Sequence, residues 1–257
     1  MDIEIVSVSK QGGRAYNEDV FGQWSDDRFA ACLVADGAGG HGGGDVAADV
    51  TRSSVLGAVA ESPGLERRRL RRLLEQANRD VVVRQAEGGR LADMRSTVVL
   101  AIVDLEACTL AWAHAGDSRA YLFRDGEQAA RTTDHSLVQQ LVNGGMIDEE
   151  RARLHPQRHL LLSALGAPDG DVEIEVSDPM PVRVGDVVLL CSDGVWEVLG
   201  DQRLGEILRA SLDPHQLIDR IDAEIRLGAP PGHDNYTAVA MWLHSDEETT
   251  QPLPLRP

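Results

Sequence analysis

Four short segments of the 257-residue chain set an acidic residue beside or near a glycine where an apolar run ends or begins. They are Leu33-Val34-Ala35-Asp36-Gly37, Ala115-Gly116-Asp117-Ser118, Leu189-Leu190-Cys191-Ser192-Asp193-Gly194 and Gly232-His233-Asp234-Asn235. Asn17-Glu18-Asp19 adds two further acids near the start. Taken singly, Asp-Gly is turn chemistry, and Asp125-Gly126 reads as a turn and nothing more. The joint pattern says more. A carboxylate at the end of a buried strand is held rigidly, and an adjacent glycine lets backbone or ligand approach closely. Several such carboxylates that converge repel one another unless cations neutralise them. Hard cations that take oxygen ligands, Mg²⁺ or Mn²⁺, fit that donor set. No Cys/His cluster with zinc spacing competes.

These acids need elements to hold them. Ile3 to Val8 alternates apolar and polar residues, the pattern of a half-buried strand. Phe29 to Ala35, Thr97 to Val103 and Val187 to Cys191 are nearly continuous apolar runs, expected of strands covered on both faces. Ala120 to Phe123, Val172 to Val176 and Thr237 to Leu243 are further strand candidates. Leu70, Leu73, Leu74, Ala77 and Val81 share one face of a helix whose other face is arginine-rich. Asp45 to Val59 reads as a second helix. Asp213, Pro214 and Gln216 supply a cap, a first-turn proline and a capping-box partner for a third. Its apolar face is Leu217, Ile218, Ile221 and Ile225. The order is not a strict βαβ alternation, so antiparallel sheets flanked by helices are expected rather than a doubly wound parallel sheet. Residues 1–243 read as one domain. Residues 244–257, rich in Thr, Glu and Pro, read as a disordered tail.

Composition narrows the class. A net charge of -17 argues against a nucleic-acid binder and would repel an anionic membrane surface. Cys32, Cys108 and Cys191 are dispersed among apolar neighbours, the pattern of buried free thiols in a reducing compartment. The N-terminus carries no secretory signal. No apolar run approaches the ~18 residues of a membrane helix. A cytoplasmic monomer without a membrane anchor is expected.

The residues carry a resemblance. Arg14-Ala15-Tyr16-Asn17-Glu18-Asp19, Asp36-Gly37-Ala38-Gly39-Gly40-His41, Gly116-Asp117-Ser118-Arg119, Thr133-Asp134-His135-Ser136, Cys191-Ser192-Asp193-Gly194 and Gly232-His233-Asp234-Asn235 resemble, in order, the motifs of the PPM (type-2C) protein phosphatases, compact bacterial members above all. The likeness runs from about Ile3 to about Leu243. It implies an α+β fold, a four-layer α-β-β-α sandwich of two antiparallel sheets flanked by helices. It implies two to three Mn²⁺ or Mg²⁺ ions in a cleft at one end. Asp36, Asp193 and Asp234 would hold the first ion. Glu18, Asp36 and the Gly37 carbonyl would hold the second, with Asp36 the bridge. Asp117 and Asp193 would hold the third. Asp19 would orient water ligands, Asn235 would support the Asp234 loop, and Arg14 would bind substrate phosphate. The implied reaction is hydrolysis of phosphoserine and phosphothreonine by direct attack of a metal-bridged water, in opposition to a Ser/Thr kinase. The absence of a Cys-x5-Arg loop agrees with a reaction that needs no nucleophilic side chain.

Single residues divide between two readings. His41 stands three positions later than the histidine of eukaryotic relatives. It is either the acid that protonates the leaving group or a loop or first-turn residue. His135 and His233 read as structural or neighbouring groups, and Ser118 and Ser192 as hydrogen-bonding loop residues. Residues 148–165 correspond to a mobile flap beside the cleft, read either as a solvated segment or as a control on access and third-ion occupancy. Arg95 departs from the family pattern, which places a small residue there. The segment from His135 to Gly166 is most like stand-alone phosphatases, including those that control type VI secretion. The rivals are a phosphoprotein-binding module without turnover, which would lack a ligand acid, and a hydrolase of another phosphate ester, which would show a Walker-type loop or a basic surface. Neither mark is present.

Overall fold

The computed structural model describes residues 1–39, 42–168 and 171–245. His41, and the tail beyond residue 245, lie outside the described residues. In chain order the elements are β1 (Asp2–Lys10), β2 (Asp19–Ser25), β3 (Phe29–Ala38), α1 (Gly44–Glu61), α2 (Arg67–Gln85), β4 (Arg95–Ser96), β5 (Val98–Asp104), β6 (Thr109–Ala115), β7 (Arg119–Arg124), β8 (Glu127–Arg131), α3 (Leu137–Asn143), α4 (Glu149–Arg153), β9 (Glu175–Val176), β10 (Met180–Pro181), β11 (Val187–Cys191), α5 (Asp193–Ala210), α6 (Pro214–Gly228) and β12 (Tyr236–His244).

The apolar runs pair into two antiparallel sheets. One has the order β1-β12-β11-β7-β8. The other has β10-β6-β5-β3-β2, with β4 on the end of β3 and β9 on β6. Side chains alternate faces along each strand, and here both faces are apolar. In β3, Ala30, Cys32 and Val34 join Leu122, Val188, Leu190 and Met241 between the sheets. Ala31, Leu33 and Ala35 face outward and pack with Val55, Val59, Leu70 and Leu74 of α1 and α2. On the other sheet, Tyr121, Phe123, Leu189 and Cys191 face Leu204, Ile207, Ile221 and Ile225 of α5 and α6. This double burial is why the central strands read as continuous apolar runs. Each fully buried Leu, Ile or Val contributes about 1.5–3 kcal/mol. The result is the four-layer α-β-β-α sandwich.

Several elements differ from the expectation. The helix α5 begins at Asp193, so the segment after β11 is a helix start rather than a simple strand-end turn. Three glycines and a break at Gly200, with φ of 72°, hide its period. The strands β2 and β8 are half exposed and carry weak apolar signals. Only Glu175 and Val176 of the expected 172–176 strand pair, with β6. Cys108 is half-buried, in a turn with φ of 51°, whereas Cys32 and Cys191 are fully buried. The Asp213 cap forms as read, accepting from Gln216 N–H at 2.8 Å, but the Gln216 amide returns to the Asp213 carboxylate rather than to its backbone. Asp125 and Gly126 both have positive φ and close the β7–β8 hairpin, as a two-residue turn of this kind requires. Among the described residues no helix is long and apolar enough to cross a membrane.

At the cleft end, α5 meets the loop before β12. A Cβ on Gly194 would collide with the Asn235 carbonyl. Gly194→Ala is expected to lower unfolding free energy by about 1–3 kcal/mol, the usual cost of overpacking, read as a lower urea midpoint with an unchanged m-value.

Candidate metal centre

The acids picked out by their glycines meet at one end of the sandwich. Arg14, Glu18, Asp36, Gly37, Asp117, Asp193, Asp234 and Asn235 all line one open cavity of about 490 Å³. Asp36 closes β3 and is tied to β5: its N–H donates to Thr97 Oγ1 at 3.1 Å, and its carbonyl accepts from Thr97 N–H at 2.8 Å. Gly37 N–H donates to the Glu18 carbonyl at 3.1 Å, which brings the Glu18 strand alongside. A Cβ at Gly37 would collide with the Gly44 carbonyl at the start of α1, so this close approach admits only glycine.

Asn235 is the knot of the Asp234 loop. Its side-chain Oδ1 accepts from Glu18 N–H at 2.8 Å, and its Nδ2 donates to the carbonyls of Gln11 at 2.7 Å and Tyr16 at 3.0 Å. It therefore fixes Asp234 and Glu18 relative to each other. Asp19 pairs with Asp36 across β2 and β3 and accepts from Ser192 Oγ at 2.6 Å. Arg14 stands at the mouth, where its guanidinium meets Asp234 at 2.5 Å.

Electrostatics decide what this end can hold. Burial, together with the charges of Asp19, Asp193, Asp117 and Asp234, pushes Asp36 well above the usual carboxylate range. Burial, then Asp117 and Glu197, do the same to Asp193. Burial raises Asp19 to about 6 and Asp117 to about 7. Glu18 is also raised, chiefly by burial. Glu18 Oε1, Asp19 Oδ1 and Asp193 Oδ1 are buried without a protein donor. Glu18 and Asp193 line the cavity and Asp19 lies beside Asp36; orphaned carboxylate oxygens so placed, with no soft ligand among them, are a donor set that fits hard divalent cations.

One residue beside these acids was not foreseen, and another comes from the segment read as a flap. Glu197 lies one helical turn after Asp193 on α5 and raises Asp117 and Asp193. Its i,i+4 spacing is the signal that would have found it, and it stayed hidden because α5 was not read as a helix. His159, from the 148–165 segment, lines the cavity, 4.0 Å from Asp193 and 3.3 Å from Glu197. Arg158 meets Glu197 at 3.1 Å. Arg95 pairs with Ala38 at the end of β3 and does not line the cavity. His135 is buried, and burial lowers it to about 4.

Similarity to known proteins agrees with this geometry. Residues 9–216 match the family described as Protein phosphatase 2C. The chain belongs to that family. Serine/threonine phosphatase stp of Listeria monocytogenes is 33% identical over 233 residues, 88% of this chain and 90% of the relative. The catalytic domain of the serine/threonine protein phosphatase PstP, solved with two manganese ions, superposes with a TM-score of 0.78 at 29% identity, covering 95% of this chain and 99% of that one. PppA, described as a key regulatory component of T6SS in Pseudomonas aeruginosa, superposes with a TM-score of 0.75 at 27% identity, covering 94% of this chain and 97% of that one. The chain is a metal-dependent serine/threonine protein phosphatase, a hydrolase that acts on phosphoproteins.

A pH dependence follows. Carboxyls raised in the folded state bind protons there that the unfolded chain, with carboxylates near about 3.9, has released. Folded Asp19 titrates at about 6 and Asp117 at about 7. The metal-free protein therefore loses stability as pH rises from about 4 to about 7. Melting with chelator is expected to show Tm falling across that window. Added Mn²⁺ is expected to raise Tm most at the upper end, because protons compete with it at the lower. A chelated protein whose Tm rises across the window would contradict this assignment.

Proposed function

We propose that Asp36, Asp193 and Asp234 hold one divalent cation, that Glu18, Asp36 and the Gly37 carbonyl hold a second, and that Asp117 and Asp193 hold a third, with Glu197 beside it. The observation that carries this reading is the convergence of these acids on one cavity, with Glu18 Oε1 and Asp193 Oδ1 buried and without a protein donor. Mn²⁺ or Mg²⁺ is the chemical class. When bound, the cations supply an acidified water near neutral pH and offset phosphoryl charge.

The chain's own residues do the rest. Arg14 binds the substrate phosphate with its guanidinium fork. In the structure that fork rests on Asp234; a cation held by Asp234 would compete for that carboxylate and leave Arg14 for the phosphate. Asp19, anchored through one oxygen by Ser192, keeps its other oxygen free to accept from a water. Asn235 holds the Glu18 and Asp234 segments in register. His159 and Leu161 bring the 148–165 segment to the cavity wall, which supports its reading as a control on substrate access. The partners are phosphorylated proteins and a cognate Ser/Thr kinase. The likeness to PppA supports a place in secretion control.

Phosphate release from a phosphothreonine peptide tests this reading. Activity is expected with Mn²⁺ and is expected to vanish with excess chelator. Asp193→Asn is expected to lower kcat by at least about 100-fold, the scale on which electrostatic groups act at a transition state. Activity indifferent to chelator and to Asp193→Asn would falsify the mechanism. Arg14→Ala is expected mainly to raise KM. A pure kcat loss at unchanged KM would instead place Arg14 on the transition state alone.

A further inference from the structure

The turn that carries Asp117 is gripped through its backbone from two sides. Gly116 has φ of 104°, and a Cβ there would lie 2.7 Å from Thr97 Cβ, so the turn requires glycine. On one side His135 engages both the carbonyl and the N–H of Gly116. Its N–H donates to the Gly116 carbonyl at 3.0 Å, and its Nδ1 accepts from Gly116 N–H at 3.3 Å. That second bond makes Nε2 the protonated nitrogen of His135. His135, His114 and Glu175 come close together, but His135 stacks its ring on His114 and faces Glu175 with the protonated Nε2, at 3.9 Å, rather than with a lone pair. This group is a clamp, not a ligand set.

On the other side, Trp196 Nε1–H donates to the Asp117 carbonyl at 2.9 Å. Trp196 lies three residues after Asp193 on α5. Its hydrogen bond therefore joins the two segments that present Asp117 and Asp193. The indole is itself braced. The Arg119 guanidinium lies 3.7 Å from its ring centroid. Arg119 forks onto Asp134 at 2.8 and 2.7 Å and reaches Asp201 at 3.1 Å. Tyr121 hydroxyl also donates to Asp201, at 2.9 Å. Trp196 and Arg119 are 3% and 6% exposed. Neither lines the carboxylate cavity; both line a separate cavity of about 580 Å³ behind it.

Two carboxylates in one cavity repel each other, and a shared cation needs their oxygens at a fixed spacing. A bond to a flexible side chain would let the Asp117 turn drift. A buried indole, with two side-chain torsions and a guanidinium packed on its face, holds it. We propose that Trp196, backed by Arg119, is a positioning residue that fixes Asp117 against Asp193 and so sets the affinity of the third cation site. The inference rests on the reading of Asp117 and Asp193 as ligands of that cation.

The test separates the N–H from the bulk of the ring. Trp196 is replaced by benzothienylalanine, which keeps the indole shape but has sulfur in place of N–H. Mn²⁺ binding is followed by calorimetry for the native chain, the substituted chain and Asp117→Ala. The expected result is that the tighter sites are unchanged while the midpoint of the weakest rises about tenfold or more, as for other groups that orient a ligand. The Mn²⁺ concentration for half-maximal kcat rises in parallel, and KM for phosphopeptide at saturating Mn²⁺ stays put. A substituted chain with the native isotherm, beside an Asp117→Ala chain that has lost a cation, overturns the positioning role and leaves the ligand reading standing. An Asp117→Ala chain that binds every cation overturns the ligand reading, and the inference with it. Where the substituted chain does not fold, Trp196→Phe, which keeps a buried aromatic ring but has no N–H, takes its place. The same shift is expected there, and its absence overturns the proposal.

Discussion

Mutual repulsion among buried carboxylates governs the cleft end of this protein. Two unit charges 4 Å apart interact by about 4 kcal/mol at an effective dielectric near 20, and a whole domain is stable by only about 5–15 kcal/mol. A cluster of Asp36, Asp193, Asp19, Asp117 and Glu18 cannot stay fully ionised on such a margin without counter-charge. The structure answers in part by raising these acids, so that protons fill the place of cations. A bound divalent cation replaces those protons, so occupancy, stability and catalytic competence are linked through the same groups.

The sandwich supplies the rigidity that repulsion opposes. Asp36 is stitched to β5 by Thr97. Glu18 and Asp234 are held in register by one asparagine whose side chain makes three hydrogen bonds, all to backbone partners. Asp193 sits at the first turn of α5, where the helix dipole favours negative charge. The tight junctions Gly37–Gly44 and Gly194–Asn235 set helix starts directly against strand ends. These contacts carry little hydrophobic energy. Their stability comes from the cores between and outside the sheets, far from the charges, and the site draws on it.

The 148–165 segment reaches the cluster through charge, while its end is anchored by the buried Leu165 and by backbone pairing with Ser96 and Ser136. Arg158 and His159 both reach Glu197, which in turn bears on Asp117 and Asp193. Leu154, Leu160 and Leu162 of the same segment are exposed.

The sequence by itself pointed to antiparallel sheets flanked by helices and to acids that the fold brings to one cavity. Continuous apolar runs such as Phe29 to Ala35 can be buried only on both faces, and acids beside glycines at the ends of such runs are held where the chain turns. Both signals are local, so they survive in one dimension. What only the tertiary structure decided is how those acids are set against one another. The helix after Asp193 was masked by its glycines, and with it Glu197 one turn on and Trp196 between them. Asn235 as the tie between Glu18 and Asp234, the Arg14–Asp234 contact and the His135 clamp on Gly116 join residues distant in sequence, through hydrogen bonds that have no periodicity to read. Repulsion among the carboxylates likewise depends on separations across the fold, and folding alone sets those.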